Sequence, residues 1–366
     1  MSTQYAEPAE AVVQQGRTKK KVVRRSAPDR SQRLRQIVQW SFLALNAWIG
    51  AQFILWVRSM DGGHGFAVSR PAGVEGWLPI AGLMNLKYFL STGRVAAIHP
   101  AAMFLLVVFL LASLLLKKSF CGWLCPVGTV SETLWKFGRR ILGRSLRVPG
   151  WLDYALRSLK YVLLAFFGLI IGTMSAQALA GFMDSSYGII ADVKMLDFFR
   201  ELSLTGILIL AALVLLSVLI ENFWCRYLCP YGALMGLVSL LSPTKIRRDQ
   251  EACIDCGKCS RACPSHLPVD QLVQIRSVEC TACMACVASC PVENGLQFAL
   301  PPRKSESIAA RWRGRIATPQ MVAILLACLF FGTVLMAKAT GHWNTNVPRQ
   351  MYMVLVPHAD EVAHPM

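Results

Sequence analysis

Charge is what this sequence has least of. Only 16% of its 366 residues are Asp, Glu, Lys or Arg, against roughly 25% in an average soluble domain, while 54% are hydrophobic. That balance excludes an ordinary soluble chain and points to a membrane protein. Acid is the scarcer sign, with 21 acidic residues against 38 basic ones and a net charge of +17. Ionisable groups are also missing from the interiors of the long apolar stretches, with only Glu221 at a boundary. A pump or charge-coupled transporter keeps its working groups there, so that class is disfavoured. Histidine is sparse as well. His64, His342, His358 and His364 lie outside the apolar stretches, and His266 follows a cysteine run. His99, at the outer end of an apolar stretch, has no facing histidine with which to hold a haem, and reads as a satisfied or interfacial side chain.

Five apolar stretches lie near 37–57, 98–116, 160–182, 203–221 and 320–338, each about the ~20 residues that cross a bilayer as a helix. The expected fold is therefore mainly α, a polytopic transmembrane bundle of about five spans. Residues 1–36 are polar and basic and read as a disordered cytoplasmic tail. The stretch that follows is too long for a signal peptide, carries Trp40, Trp48 and Trp56, and lacks a small-residue cleavage site, so it reads as a retained anchor. With the N-terminus inside, segments 17–35, 117–160 and 222–319 are cytoplasmic and hold 30 of the 38 Lys and Arg. This asymmetry accounts for the net charge without nucleic acid and places residues 339–366 in the periplasm of a bacterial inner-membrane protein. The alternating basic and apolar segment 136–147 is expected along the inner membrane surface. The outer loop 58–97, with Gly73, Gly76, Trp77 and Pro79 ahead of a short helical stretch, fits either a cap over the bundle or a re-entrant segment.

Cysteine, by contrast, is abundant. Twelve of the thirteen fall in four tight groups that each end in Cys-Pro, a pattern of metal ligation rather than of the disulfide frameworks of small secreted chains. The runs C-I-D-C-G-K-C-S-R-A-C-P (253–264) and C-T-A-C-M-A-C-V-A-S-C-P (280–291) repeat at a period of 27. In a C-x2-C-x2-C-x3-C-P run, three thiolates wrap one cluster and the fourth reaches the other. Cys253, Cys256, Cys259 and Cys290 are thus expected to hold one [4Fe-4S] cluster, and Cys280, Cys283, Cys286 and Cys263 a second. Together they form an inserted ferredoxin-like α+β module over 243–300, followed by a linker over 301–319. Gly257, Ala282 and Ala285 leave room for the clusters. Structural zinc favours two separated cysteine pairs per site and does not call for eight thiols in a doubled run.

The other two groups, F-C-G-W-L-C-P-V-G (120–128) and W-C-R-Y-L-C-P-Y-G (224–232), repeat at a period of 104, and each ends a span that runs inward. Parallel repeats about the membrane normal would bring them to the same depth. Four-residue spacing puts Cys121 above Cys125, and Cys225 above Cys229, on one face of a helical turn. A third iron–sulfur centre, another thiolate-bound metal, a redox dithiol pair and inert buried cysteines are all compatible with that spacing. Cys328, alone in an apolar span, reads as a small core residue.

Over roughly residues 98–300, these motifs resemble the polyferredoxin family that includes NapH, the membrane ferredoxin of periplasmic nitrate reduction, and MauN. The membrane half of NosR is similar. The resemblance implies electron transfer between the quinone pool or a flavoprotein and a respiratory reductase, with all twelve motif cysteines carried over and no substrate chemistry of the chain's own. A 36-residue tail cannot supply the flavin-binding region of NosR-like proteins. The residues after the fifth span are too few for the immunoglobulin-like domain of CcoG-type proteins, and that span itself exceeds the four-span plan associated with NapH. Two other roles share the motifs: an assembly factor that reduces a metal or thiol through the C-x3-C-P cysteines, and a membrane redox-sensing regulator.

Overall fold

A computed structural model describes residues 25, 29, 31–60, 68–143, 145–146, 148–301 and 316–364. All five apolar stretches are helical: α1 (Ser31–Met60), α3 (Pro100–Leu116), α6 (Gly150–Thr173), α10 (Leu204–Leu219) and α14 (Pro319–Ala339). Three of them, α1, α6 and α14, are long and apolar enough to cross a membrane. A fourth span exists if α10 is counted with α9 (Ala191–Arg200), from which it is bent by 86°. With 17 residues, α3 falls short of that length. At 1.5 Å per residue it covers about 26 Å, less than a ~30 Å hydrocarbon core. Among the described residues three or four helices are thus long spans, and the shorter central α3 stands at the lower end of the ~17–25 residues that cross a bilayer, against the five spans expected.

The central position of α3 explains its composition. Ten of its apolar or small side chains from Ala101 to Leu116 are buried, because α2 (Pro79–Thr92), α11 (Pro230–Val238), α14 and the 3-10 turn Ala72–Trp77 all pack on it. The outer helices instead leave apolar side chains exposed, such as Phe166 and Leu169 on α6 and Ile324 and Leu335 on α14, as lipid-facing surfaces require. Packing between helices in lipid depends on close backbone approach at small residues. A Cβ on Gly82 would lie 2.8 Å from the Ala102 carbonyl oxygen, and one on Gly138 in α5 (Pro126–Leu142) would collide with that of Val218 in α10.

Several boundaries differ from the sequence reading. The third stretch starts at Gly150, ten residues early, and stops at Thr173 because Met174 turns extended and Ser175 caps α7 (Ala176–Met183) through the Ala178 N–H. Lys160 consequently lies well inside a helix rather than at its end. The basic tail is helical from Ser31, and Arg25 donates its backbone N–H to the Pro291 carbonyl at 3.0 Å; the rest of the tail and most of the linker lie outside the described residues. The loop after α1 folds back into the bundle, with Gly73 against Ile49 in α1 and Gly76 against Leu105 in α3. The C-terminal segment forms α15 (Arg349–Leu355), whose Tyr352 ring meets Trp56 of α1 edge-on at 5.0 Å. Cys328 is exposed on α14 and not in the core.

The ferredoxin-like module is pinned by a two-stranded antiparallel sheet, β1 (Lys245–Arg248) with β2 (Leu296–Ala299), in the register Lys245↔Ala299 to Arg248↔Leu296. Ile246 and Phe298 from the strands are buried with Leu267, Val269 and Ile275. Between the strands stand the two ligand loops and their short helices, α12 (Lys258–Arg261) and α13 (Ala285–Ser289).

Candidate iron–sulfur site

The two ferredoxin loops are built alike down to the backbone. Asp255 and Gly257 in the first, and Ala282 and Met284 at the equivalent places in the second, all have positive φ, between 49° and 66°. Left-handed residues at non-glycine positions are uncommon and unfavourable. Their recurrence at a period of 27 reflects what each loop must do: curl its first three cysteines toward one point. The fourth cysteine follows a short helix and reaches across. One small cavity is lined by Cys253, Cys256, Cys259 and Cys290. A second is lined by Cys263, Cys280, Cys283 and Cys286. These are the two crossed sets expected from the sequence.

Burial gives the two sets different surroundings. Cys286 is buried, whereas Ile254 and Asp255 stand exposed beside the first set. Burial pushes the Cys263 thiol up to about 12, with Cys283 and Cys280 adding to the rise and the Leu267 and Ser265 backbone N–H groups opposing it. Such thiols persist as ligands only when iron takes the proton's place. Among the described residues no three His, Cys, Asp or Glu side chains close tightly enough to grip a single ion. The thiols instead stand around cavities, an arrangement that fits a multi-iron core.

The C-x3-C-P cysteines also come together. Cys121, Cys125, Cys225 and Cys229 all line one cavity of about 1190 Å³. They do not sit on continuous helical turns as the spacing alone suggests. Cys121 lies in α4 (Ser119–Trp123), but Cys125 is extended (φ −63°, ψ 119°) and starts α5; Cys225 lies in a π-helical turn, Trp224–Leu228, and Cys229 (φ −77°, ψ 104°) starts α11. The cause is the following proline, which bars the α conformation from the residue before it. In both repeats the cysteine thereby becomes the N-cap of a helix with proline at its first position. The Gly232 N–H donates to Cys229 Sγ at 3.2 Å, whereas Cys125 caps its helix without a side-chain hydrogen bond. Burial pushes the Cys121 thiol up to about 11, although Lys118 beside it opposes the rise.

The two groups of cysteines share a wall. Cys283 lines both the large cavity and the second ferredoxin cavity. The Trp123 indole N–H donates to the Ala282 carbonyl at 3.0 Å, Gln32 Nε2 donates to the Cys283 carbonyl at 3.0 Å, and Lys160 Nζ donates to Glu279 at 2.6 Å. A Cβ on Gly122 would lie 2.6 Å from the Thr281 carbonyl oxygen. Gly122→Ala is accordingly expected to cost about 1–3 kcal/mol by overpacking and to loosen the module from the bundle. A lowered unfolding midpoint in detergent and faster proteolysis within 243–300 would measure it. A neutral variant would mean the contact yields.

Two charged clusters around the cavity have no motif behind them. At one end Arg35 pairs with Glu132 and donates to the Gly122 carbonyl at 2.9 Å. At the other, Arg70 bonds Glu75 at 2.8 Å and Asp192 at 2.6 Å, while His99 donates from Nε2 to the Gly188 carbonyl at 2.9 Å. His99 is thus a satisfied buried side chain. The charged partners come from separate loops, and no spacing could have linked them.

Comparison with known proteins agrees with this construction. A 4Fe-4S binding domain family matches residues 98–145 and again 202–249, the two C-x3-C-P repeats, and a 4Fe-4S dicluster domain family matches residues 245–291. YccM of Escherichia coli (strain K12), a candidate electron transport protein, is 49% identical over 331 residues, covering 90% of this chain and 91% of its own. The ferredoxin-type protein NapH of the same organism is 27% identical over 57% of this chain and 70% of its own. The regulatory protein NosR of Pseudomonas aeruginosa is 30% identical over 50% of this chain but only 25% of its own. No solved structure matches. A lipid-facing helical bundle joined to an eight-cysteine module defines a membrane iron–sulfur protein. The chain belongs to the NapH-like membrane polyferredoxin family; its function is iron–sulfur electron transfer and its cofactors are two [4Fe-4S] clusters.

Proposed function

We propose that the chain carries electrons from a membrane quinol, through a third centre on Cys121, Cys125, Cys225 and Cys229, to the cluster on Cys263, Cys280, Cys283 and Cys286. They then pass to the cluster on Cys253, Cys256, Cys259 and Cys290 and out to a respiratory reductase or its intermediary. The observation that carries this reading is the large cavity. Its walls include Phe42, Leu45, Ile49, Phe330 and Val334 from α1 and α14, and it ends at the four thiols and at Cys283. An apolar ligand with a redox head fits such a space, which favours a quinone over a flavoprotein as donor. The exposed cluster then faces the soluble partner. We place the ferredoxin module in the cytoplasm and the C-terminus in the periplasm of the inner membrane, on the Lys and Arg distribution.

Iron analysis combined with an EPR redox titration tests the relay. Protein purified in detergent is expected to hold more than the eight irons of two [4Fe-4S] clusters, and a quinol is expected to reduce it. Eight irons and no reduction by quinol would reject both the third centre and the donor. For the sidedness, a reporter fused after Met366 is expected to be active only in the periplasm and one fused near Lys304 only in the cytoplasm. The reverse pattern would invert the orientation.

A further inference from the structure

We infer that Lys118 is the charge partner of the centre on Cys121, Cys125, Cys225 and Cys229, and that its ammonium raises that centre's reduction potential; this rests on the third centre proposed above. Lys118 is only 3% exposed and lines the large cavity together with all four thiols. Its ammonium lies near the second repeat: a Cβ built on Gly232 would be 3.5 Å from Lys118 Nζ and 3.6 Å from Cys229 Sγ, so both groups flank the same point.

The charges around Lys118 do not balance without a further anion. It faces Cys121 from its own turn, Cys225 and Cys229 from the second repeat and Glu279 from the ferredoxin loop, with the cations Lys117 and Lys160 nearby. The single negative charge of Glu279 is shared between Lys118 and Lys160, the latter bonding it at 2.6 Å. No hydrogen bond or ion pair joins Lys118 Nζ to a described residue. Lys118 lines the cavity, and a positive charge so far out of bulk water is costly without a counter-charge, so a further negative group is expected there. Four thiolates around an oxidised [4Fe-4S] core of charge +2 carry a net −2, and uptake of one electron makes it −3 with no bond formed or broken. A fixed positive charge beside the core favours the more negative state, and local charge is one of the levers on cluster potential. Lys118 therefore makes this centre a better acceptor than the same four thiolates would be in the same dry pocket, as a site taking electrons from a quinol must be.

The test compares Lys118→Met, which removes the charge at similar length, with Lys118→Arg, which keeps it. Iron content and EPR redox titrations are measured on the full chain purified in detergent. The methionine variant is expected to retain wild-type iron. At the potential where the wild-type third centre is half reduced, its reduced-to-oxidised ratio is expected to fall at least tenfold, about 59 mV for one electron. The ferredoxin signals stay in place, and the arginine variant titrates with the wild type. An unchanged third-centre potential in an iron-replete methionine variant overturns the inference, as does an equal shift of all centres. Should that variant fail to accumulate, Lys118→Gln makes the same comparison. Failure of the underlying reading is separately visible, because wild-type protein would then hold only the iron of two clusters.

Discussion

Cys263→Ala is expected to remove the cluster held by Cys280, Cys283 and Cys286, leaving the cluster beside Cys253, Cys256 and Cys259 in place. Cys263 follows the first loop in sequence, yet its thiol lines the cavity of the second. The reach is set by α12, a four-residue helix that carries the chain from one loop to the edge of the other before Pro264 turns it away. Removing one of four ligands in a buried pocket costs the whole cubane, so iron content should fall by about four per chain. Transfer should be lost with it. This is the pocket whose Cys283 also borders the large cavity, whereas no described residue lines both that cavity and the outer pocket. Reduction of a soluble acceptor by quinol is therefore expected to drop to background. Cys290→Ala, which opens the other pocket, should lose the same amount of iron while quinol still reduces the remaining inner cluster. Loss of the opposite EPR signal in either variant would overturn the crossed assignment.

The contrast between these cysteines and the rest of the site shows what a sequence can carry. The eight ferredoxin-motif cysteines are legible because a cubane imposes spacing on a continuous loop, and the duplication at a period of 27 repeats the message. The left-handed residues Asp255, Ala282 and Met284 carry no such signal. Aspartate tolerates a positive φ better than most residues, but nothing about alanine or methionine announces one, and the convergence of three thiols in each loop accounts for it. The C-x3-C-P motif is half legible. Its proline forecasts the break that makes Cys125 and Cys229 helix caps, whereas helical periodicity stacked each pair on one turn. Two rules competed at the same four residues, and the local steric one prevailed.

Span limits and buried charge were less accessible. Hydropathy found all five apolar stretches but could not see that α3, the most buried, is also the shorter central helix of the bundle. A helix surrounded by other helices and one surrounded by lipid present the same apolar composition. Lys160 looked like the start of a span. In the fold it lies inside α6, and Glu279, 119 residues away, is its partner at 2.6 Å. Lys117 and Lys118 read as inward-facing positive charge at a membrane boundary; both are buried, and Lys117 Nζ donates to the Arg276 carbonyl at 3.2 Å. Each depends on a contact distant in sequence, which composition and periodicity do not encode.

Arg70→Met is expected to destabilise the bundle by about 3–5 kcal/mol, the cost of stripping one partner from a buried ion pair. Its guanidinium holds together three parts of the fold. Nη1 donates to Glu75 at 2.8 Å in the 3-10 turn and to Thr345 at 3.1 Å in the C-terminal segment, and Nη2 donates to Asp192 at 2.6 Å in α9. Without it, two carboxylates that are 0% exposed lose their cation. Glu75 matters in its own right, since its second oxygen accepts from the Ala102 N–H at 3.3 Å and so places negative charge at the start of α3. Burial pushes the Glu75 carboxyl up, but Arg70 and His99 outweigh it and hold it at about 2, below the usual 4.5. A depressed carboxyl contributes stability that is complete above the unfolded value and lost as the pH falls toward the folded one. This part of the network, about 3 kcal/mol, is therefore expected to vanish as the pH falls from about 4.5 to about 2. Glu75→Gln should lower the unfolding midpoint near neutral pH and flatten its fall in acid. Because the two residues act on each other, the Arg70→Met, Glu75→Gln double variant should lose less than the sum of the single variants. Strictly additive losses, with the acid dependence intact in Glu75→Gln, would mean that the pair does not hold the outer loop to α3.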